Sequence, residues 1–340
     1  MIDFDKLLKV VVDQGASDLF VTAGLPPSIK VSGKMMPMSK TPLTADQARE
    51  MVHGTMTEAQ VQEFESEREC NFAIHSSVAG RFRVSAFYQR NFAGMVLRRI
   101  ETHIPTCDEL KLPEVIKNLA MTKRGLIIFV GATGTGKSTS LASMIGHRNT
   151  HSKGHIITIE DPIEYIHHPK ECAISQREVG RDAKSFASAL KASLREDPDV
   201  ILVGELRDLE TVQLAITAAE TGHLVFGTLH TSGAPNTINR LIDVFPAAQQ
   251  GQVRSQLAES LRLVVTQQLV KTADGQGRVA AFEIMVCNHA VRNLVREGKI
   301  FQIAAVMQTA RGEGMVTMNH SVDELVSSGK INYEDVELRD

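Results

Sequence analysis

The first hundred residues switch between helical and alternating hydrophobic patterns, which predicts a small unit of mixed helices and strands. Phe4, Leu7, Leu8 and Val11 recur at the spacing of one helix face. Residues 80–88 alternate strictly between apolar and polar side chains, as in a strand with one buried face. The other elements predicted here are a strand over 16–22, a hairpin over 28–38 that turns at Ser32-Gly33, helices opened by capping boxes at 44–47 and 57–60, and a strand over 95–100.

After about residue 123 the pattern changes to short apolar strands that alternate with helices, which predicts a parallel sheet covered on both faces. The preceding stretch contains Pro105, Cys107 and Pro113 and mixes turn with helix, so we place the domain boundary there. The predicted strands cover 126–130, 156–159, 200–203 and 224–229. The predicted architecture is an α/β fold with a smaller N-terminal α+β domain (1–105), a linker (106–122), a core (123–287) and a helical C-terminal region (288–340).

Composition narrows the functional classes without changing this architecture. The 340 residues are 43% hydrophobic and 23% charged with a formal net charge of −3, so no broad attraction to nucleic acid or to an anionic membrane is expected. No apolar run approaches the length of a membrane span, and the first residues lack the pattern of a secretory signal. Cys70, Cys107, Cys172 and Cys287 include no pair at metal-ligand spacing, which predicts free thiols, no zinc site and a cytoplasmic location.

The strand predicted over 126–130 runs directly into a glycine-rich loop and then into an apolar helix, the context that a Walker A loop requires. Backbone N–H groups of such a loop close around phosphate oxygens, while Lys137 neutralises the β- and γ-phosphates and the Ser138 hydroxyl binds Mg²⁺. An unoccupied glycine turn is the alternative, which the flanking strand and helix disfavour. The predicted ATP-binding residues are Gly131, Ala132, Thr133, Gly134, Thr135, Gly136, Lys137, Ser138 and Thr139.

Acidic residues end two later strands, at the edge where α/β sheets bind their ligands. The first strand is followed by Glu160, Asp161 and Glu164, and the second ends in Gly204-Glu205. A buried strand that ends in Gly-Glu can bring a carboxylate beside the γ-phosphate, so we expect Glu205 to polarise the attacking water. A surface loop after a strand is the alternative for either segment alone.

Histidines flank the last predicted strand, over 224–229. His230 follows its end, where RecA-like cores carry a γ-phosphate sensor, and this makes His230 a candidate catalytic residue. His223 precedes the strand, and for it a structural and a functional role stay equally open.

Four blocks, over 131–139, 158–164, 195–211 and 219–231, resemble the type II/IV secretion ATPases, specifically the pilus retraction ATPases of the PilT/PilU group. The likeness extends over nearly the whole chain. It implies that the blocks are the Walker A, Asp box, Walker B and His box of the family.

The resemblance also implies individual roles for residues in these blocks. Glu164 and Glu205 match the acidic catalytic positions, and Glu164 joins Ser138 in holding Mg²⁺ through the nucleotide. His223 and His230 match the histidines of the His box. The family forms cytoplasmic hexamers with a PAS-like N-terminal domain and a RecA-like core.

Arginines are candidates for completing the ATP site. In the resembling family, arginines of the N-terminal domain serve this purpose, which points to Arg81 and Arg83 on the polar face of the strand over 80–88. Arg195 and Arg240 are further candidates for phosphate contact. A solvated surface position is the alternative for each of them.

The segment 290–297 resembles the family's AIRNLIRE motif, which is associated with retraction. Taken alone it is an amphipathic helix with Val291, Leu294 and Val295 on one face. Extension ATPases usually carry a tetracysteine zinc module, whereas Cys287 is the only cysteine after Cys172 here. The predicted motif residues are Ala290, Arg292, Asn293, Leu294, Arg296 and Glu297.

The sequence therefore predicts a hexameric ATPase that uses ATP and Mg²⁺ to power type IV pilus retraction and hence twitching motility. The expected partners are further copies of the chain, an inner-membrane platform protein and a paralogous retraction ATPase, with the protein held at the cytoplasmic side of the inner membrane. Two alternatives stay open. One is a nucleic-acid translocase with a RecA-like core, disfavoured by the absence of Trp and by 5% aromatic residues. The other is an accessory subunit of a paralogous retraction ATPase.

Overall fold

The computed structural model describes residues 4–31, 33–100 and 103–336. The chain divides into two compact units, Met1–His103 and Ile104–Asp340. The segment 106–122, expected to be a linker, is part of the second unit. Ser32, at the predicted hairpin turn, lies outside the described residues.

The first unit is built on a six-stranded antiparallel sheet with its helices packed against the apolar face. Its elements are α1 (Phe4–Asp13), β1 (Asp18–Thr22), β2 (Ser28–Val31), β3 (Lys34–Pro37), α2 (Ala45–Gly54), α3 (Glu58–Glu67), β4 (Glu69–Ser76), β5 (Gly80–Gln89) and β6 (Phe92–Ile100). The strand order is β3-β2-β1-β6-β5-β4.

Local sequence explains the boundaries of these elements. At the start of α2 the Thr44 hydroxyl accepts the Gln47 N–H (3.2 Å), and the Gln47 side chain accepts the Thr44 N–H (2.9 Å), which confirms the predicted capping box. The alternation along β5 is also confirmed, because Phe82 and Val84 are buried whereas Arg83 is exposed.

The second unit contains a seven-stranded sheet between two layers of helices. Its elements are α4 (Glu114–Ala120), β7 (Gly125–Val130), α5 (Lys137–His151), β8 (Gly154–Glu160), β9 (Cys172–Glu178), α6 (Phe186–Ser193), β10 (Val200–Val203), α7 (Leu209–Glu220), β11 (Leu224–Leu229), α8 (Ala234–Asp243), α9 (Ala247–Ser260), β12 (Leu261–Lys271), β13 (Arg278–Val286), α10 (His289–Glu297), α11 (Ile303–Thr309) and α12 (Met318–Ser327). The strand order is β13-β12-β7-β11-β10-β8-β9.

Six strands of this sheet run parallel, and only β13 pairs in the antiparallel direction, with β12. The central strands are buried on both faces. On β7, Ile128 packs into the core under α6 to α9, and Phe129 packs into the opposite core with α4 and α5. The predicted parallel sheet with helices on both faces is therefore confirmed.

Three strands of the sheet are additional to the predicted four. β9 has a mixed pattern because it is an edge strand that pairs only with β8. β12 and β13 form a hairpin that extends the other side of the sheet. β12 contains the apolar run Leu263–Val265, a pattern typical of a buried strand.

The predicted helical C-terminal region is confirmed by α10 to α12, up to the end of the described residues at 336. No helix within 4–31, 33–100 or 103–336 is both long and apolar enough to cross a membrane.

Candidate active site

The P-loop joins β7 to α5 and is shaped by contacts with β12. Gly131 has φ 140°, and a Cβ there would lie 2.6 Å from the Gln267 carbonyl oxygen. Gly136, with φ 88°, would bring a Cβ to 2.7 Å from the Gln267 side-chain nitrogen. Since L side chains rarely adopt these backbone angles and β12 leaves no space for them, both positions require glycine. The Ser140 hydroxyl donates to Gln267 Oε1 (2.8 Å) and ties the first turn of α5 to β12.

Lys137 is buried at the start of α5 and folds back over the loop. Its Nζ donates to the carbonyl oxygens of Gly131 (2.6 Å) and Ala132 (2.9 Å). Burial lowers the pKa of Lys137, and the carboxylates of Glu205 and Glu164 oppose this shift. The predicted lysine and both predicted carboxylates therefore share one electrostatic environment.

Glu205 lies directly beyond β10, at the carboxyl end of the sheet. The neighbouring β11 fixes this turn, because the Thr228 hydroxyl donates to the Gly204 carbonyl and the Leu206 N–H donates to the Thr228 carbonyl (3.0 Å). The Glu205 side chain is 20% exposed, so it is partly accessible to solvent.

The side chains of Arg207 and His230 flank the Glu205 carboxylate. An Arg207 nitrogen lies 2.6 Å from its Oε2, and His230 Nε2 lies 3.7 Å from its Oε1. The structure thus brings predicted Glu205 and His230 together and adds Arg207. A carboxylate held by a guanidinium group in this way, with an imidazole nearby, can orient a water molecule.

The acidic turn after β8 lies on the same side of the sheet as α5. Glu164 is exposed, whereas Glu160 is half-buried. Burial raises the pKa of Glu160, and hydrogen bonds from Thr158 and Gln176 oppose this shift. The Tyr165 hydroxyl lies 2.9 Å from the Thr139 hydroxyl and so connects the acidic turn to the P-loop helix.

A cavity of about 620 Å³ adjoins the P-loop. Gly136 lies on its P-loop side, and Leu269 and Phe282 of the β12–β13 hairpin supply apolar surface. The lining also includes charged residues, which are Glu109, Lys111, Asp274, Arg278 and Lys330. A concave apolar wall with a few polar groups, next to a phosphate-binding loop, suits the base and sugar of a nucleotide.

The oxygen donors around the loop fit Mg²⁺ held through a nucleotide. Ser138 is exposed in the first turn of α5, and Glu164 is exposed near Lys137. Over 4–31, 33–100 and 103–336, no group of three or more His, Cys, Asp or Glu side chains could hold a metal ion by itself. Mg²⁺ in nucleotide sites takes one or two protein oxygens together with phosphates, so this donor set is suitable.

This arrangement has counterparts among known proteins. A family model described as "Type II/IV secretion system protein" matches residues 2–338. The chain belongs to this family of type II/IV secretion system proteins.

Individual members of the type II/IV secretion family resemble the chain over almost its whole length. It is 54% identical to the type IV pilus ATPase PilU of Pseudomonas aeruginosa, covering 98% of this chain and 87% of the relative. It is 48% identical to the type IV pilus retraction ATPase PilT of the same organism, covering 98% and 96%.

Solved structures of the family share the fold. The pilus retraction motor PilT with bound ADP matches with a TM-score of 0.93 and 44% identity, covering 98% of this chain and 96% of that one. The Legionella pneumophila ATPase DotB matches with a TM-score of 0.84 and 28% identity, covering 98% and 93%.

Two residues of the family blocks lie at the opposite, amino end of the sheet. His223 precedes β11, and its Nδ1 lies 3.0 Å from the Ala218 carbonyl oxygen. Arg195 is exposed in the turn that leads from α6 to β10. Within one chain the structure does not bring either residue to the P-loop.

The other candidate arginines are Arg240 of the second unit and two residues of the first unit. Arg240 is exposed in the last turn of α8. Arg81 and Arg83 lie on β5 of the first unit, where Arg81 is half-buried and Arg83 is opposite Arg98 of β6. For Arg81, Arg83 and Arg240, contact with phosphate stays a prediction.

The segment resembling the retraction motif forms α10, between an Asn288 N-cap and the left-handed Gly298. Val291 and Val295 are buried against α9, as the amphipathic pattern predicts. Its polar face includes Arg296, whose side chain lies 2.7 Å from Glu259 on α9. The other residues of the predicted motif lie on the same helix and are Ala290, Arg292, Asn293, Leu294 and Glu297.

Sequence reasoning missed Arg207, Gln267 and Tyr165. Arg207 lies two positions after Glu205, so a search for basic residues beside the predicted carboxylate would have found it. Gln267 and Tyr165 act through contacts with distant residues, for which the sequence gives no local indication.

Proposed function

We propose that this chain is an ATPase that powers retraction of type IV pili and thereby twitching motility. The observation that carries the proposal is the meeting of Lys137, Glu205 and His230 at the carboxyl end of one sheet, beside a glycine-rich loop. The ADP bound to the related PilT and the names of the PilU and PilT relatives support the same conclusion.

In the proposed reaction a water molecule attacks the γ-phosphorus of ATP, the bond from this phosphorus to the β–γ bridging oxygen breaks, and ADP leaves as inorganic phosphate forms. Glu205 orients the water and accepts its proton, while His230 and Arg207 hold the carboxylate in place. Lys137 exchanges its P-loop carbonyl partners for phosphate oxygens and neutralises charge in the transition state.

Ser138 and Glu164 would hold Mg²⁺ together with the phosphates, and the ion would neutralise charge on the β- and γ-phosphates. None of the side-chain roles given above requires a metal ion that is bound by protein ligands alone. The P-loop backbone binds the phosphates, and the cavity beside it receives the base.

The motor function requires further copies of the chain and a platform. We place ATP near a subunit boundary of a hexamer, where turnover shifts one unit of a subunit against its neighbour. The work is done on an inner-membrane platform protein at the cytoplasmic side of the pilus machine. Arginines such as Arg81 and Arg83 would complete the site from a neighbouring subunit.

Deleting the protein in its host tests the retraction role. Excess pili with lost surface motility are expected, because assembly continues without disassembly. Loss of pili would contradict the proposal and indicate an assembly ATPase. Complementation with an active-site variant, compared with the unaltered protein, shows whether the phenotype depends on ATP hydrolysis.

Phosphate release by the purified protein tests whether it is a self-sufficient motor. Measured alone, it should exceed that of the Lys137→Ala variant by at least about a thousandfold. Activity that arises only after addition of a paralogous retraction ATPase would instead identify an accessory subunit. Stimulation by DNA or RNA would favour a nucleic-acid translocase.

A further inference from the structure

The edge strand β9 faces the acidic turn that contains Glu164. β9 pairs in parallel with β8, and the register sets Gln176 beside Thr158 and Glu178 beside Glu160. Because alternate residues of a strand share a face, these four side chains lie on one face of the sheet. β9 therefore contributes two polar side chains next to the turn.

The Gln176 amide forms hydrogen bonds through both its nitrogen and its oxygen. Its Nε2 donates to Glu160 Oε1 (3.2 Å) and to the Tyr165 carbonyl oxygen (2.9 Å). Its Oε1 accepts the His167 N–H (2.7 Å). Two acceptors on one side and one donor on the other define a single amide orientation, so the site matches the chemistry of glutamine.

Two further backbone N–H groups of the acidic turn donate to neighbouring carboxylates. Glu178 Oε2 accepts the Ile163 N–H (3.1 Å). The Glu164 N–H donates to the carboxylate of Glu160, which also accepts the Thr158 hydroxyl (2.6 Å). Side chains of β8 and β9 thus hold the backbone before, at and after Glu164.

We propose that Gln176 is a positioning residue for ATP hydrolysis, which fixes the acidic turn so that Glu164 points toward the P-loop. It acts on Glu164 by two routes, through the Glu160 carboxylate and through the Tyr165 carbonyl. This inference rests on the proposed function, since it assigns Glu164 a part in the reaction. It gives the edge strand a role in turnover rather than in sheet stability alone.

The variant Gln176→Met tests this role, because Met has a similar length but lacks the amide donors and acceptor. We expect kcat to fall roughly 10- to 100-fold, since displacements of about 1 Å cost this much, while KM and ADP affinity stay within about twofold. Gln176→Glu keeps an acceptor for the His167 N–H but loses both donors and faces Glu160 with a second carboxylate. It should lose at least as much kcat.

Ser175→Ala is the matched control on the same strand. The Ser175 hydroxyl lies 2.9 Å from His155 Nε2, and its side chain points to the other face of β9. Removing this hydrogen bond should leave kcat within about twofold. An equal loss in the control would show that β9 matters only for stability.

A double-mutant cycle distinguishes positioning of Glu164 by Gln176 from an effect of Gln176 that does not involve Glu164. In a Glu164→Gln background, Gln176→Met should lower kcat by less than about threefold, because its route to the reaction is already removed. A full additional loss would overturn the assignment. So would unchanged kcat in Gln176→Met alone.

Hydrogen exchange of the unaltered protein keeps the inference testable if these variants do not fold. The amides of Ile163, Glu164 and His167 should exchange at least about tenfold more slowly than amides of unbonded turns. Exchange at unprotected rates would overturn the positioning role. Absence of ATP hydrolysis by the unaltered protein would overturn the proposed function itself, whereas full activity in Gln176→Met overturns the positioning role alone.

Discussion

The two ends of the parallel sheet carry similar residue types but use them differently. At the carboxyl end, Glu205 is paired with the side chains of Arg207 and His230. At the amino end, Asp199 accepts the backbone N–H of His155 (2.8 Å), and the turn before β11 is closed by His223. The Glu205 carboxylate is thus paired with side chains, whereas the Asp199 carboxylate and the His223 ring are bound to backbone groups.

This difference explains why one family block can contain both a residue at the candidate active site and a residue at the opposite end of the sheet. The blocks 195–211 and 219–231 each begin at the amino end, pass through a buried strand and finish at the carboxyl end. β11 alone, over 224–229, separates its two flanking histidines by roughly 20 Å at about 3.3 Å per residue. A contiguous motif can therefore combine a residue that contacts the nucleotide with one that shapes a distant turn.

The largest expected effect comes from Lys137→Ala at the carboxyl end. Losing the ammonium should abolish ATP turnover, with a fall of at least about a thousandfold, because no other described group replaces its charge on the phosphates. Phosphate release and nucleotide-binding titrations measure the change. Lys153→Ala, an exposed lysine at the amino end, is the control and should keep its activity. Substantial ATP turnover in Lys137→Ala would contradict the assignment of the nucleotide site to the carboxyl end of the sheet.

Glu205→Gln should separate binding from hydrolysis. The amide keeps the shape of the side chain but cannot accept a proton, so turnover should fall about 10²- to 10³-fold while ATP affinity stays within a few-fold. Equilibrium binding and single-turnover kinetics check both parts. Glu220→Gln, which alters a carboxylate that accepts Gln256 Nε2 (2.9 Å), should have little effect. Undiminished hydrolysis in Glu205→Gln would rule out the assigned role.

The histidine pair tests the comparison most directly. His230→Ala should lower kcat about tenfold, because it removes a partner of Glu205, whereas His223→Ala should change kcat by less than about twofold. Steady-state kinetics on both variants decide between the two ends. Equal losses would mean that the amino end also reaches a nucleotide, through a neighbouring subunit.

The smallest effect is expected from thiol modification at the amino end. Cys287, which follows β13, is buried, and burial raises its pKa to about 11. Roughly one thiol in a thousand is then ionised at pH 8, so iodoacetamide should leave Cys287 unmodified in the folded protein. Mass spectrometry before and after addition of urea measures this. Rapid labelling of the native protein would contradict the buried environment.

The sequence was sufficient for the parts of the site that depend on local pattern. A glycine-rich loop between a strand and a helix predicts phosphate binding, and Gly-Glu after a buried strand predicts the position of Glu205. The pattern of hydrophobic residues also predicted the parallel sheet, because the central strands of this sheet are apolar on both faces.

Contacts between distant segments account for what the sequence did not predict. Ser140 and Gln267 are separated by 127 residues, yet their hydrogen bond helps to shape the P-loop. Gln176 lies on an edge strand whose half-buried residues give a weak pattern. Such side chains have ordinary neighbours in sequence, and only the strand order brings them to the site.

The cavity beside the P-loop is lined by Leu110 and Leu112 from the start of the second unit and by Lys330 from near its end. A nucleotide bound there would act as a removable cross-link between the two ends of this chain segment. Each turnover would then release and restore a constraint on how the unit's terminal segments move.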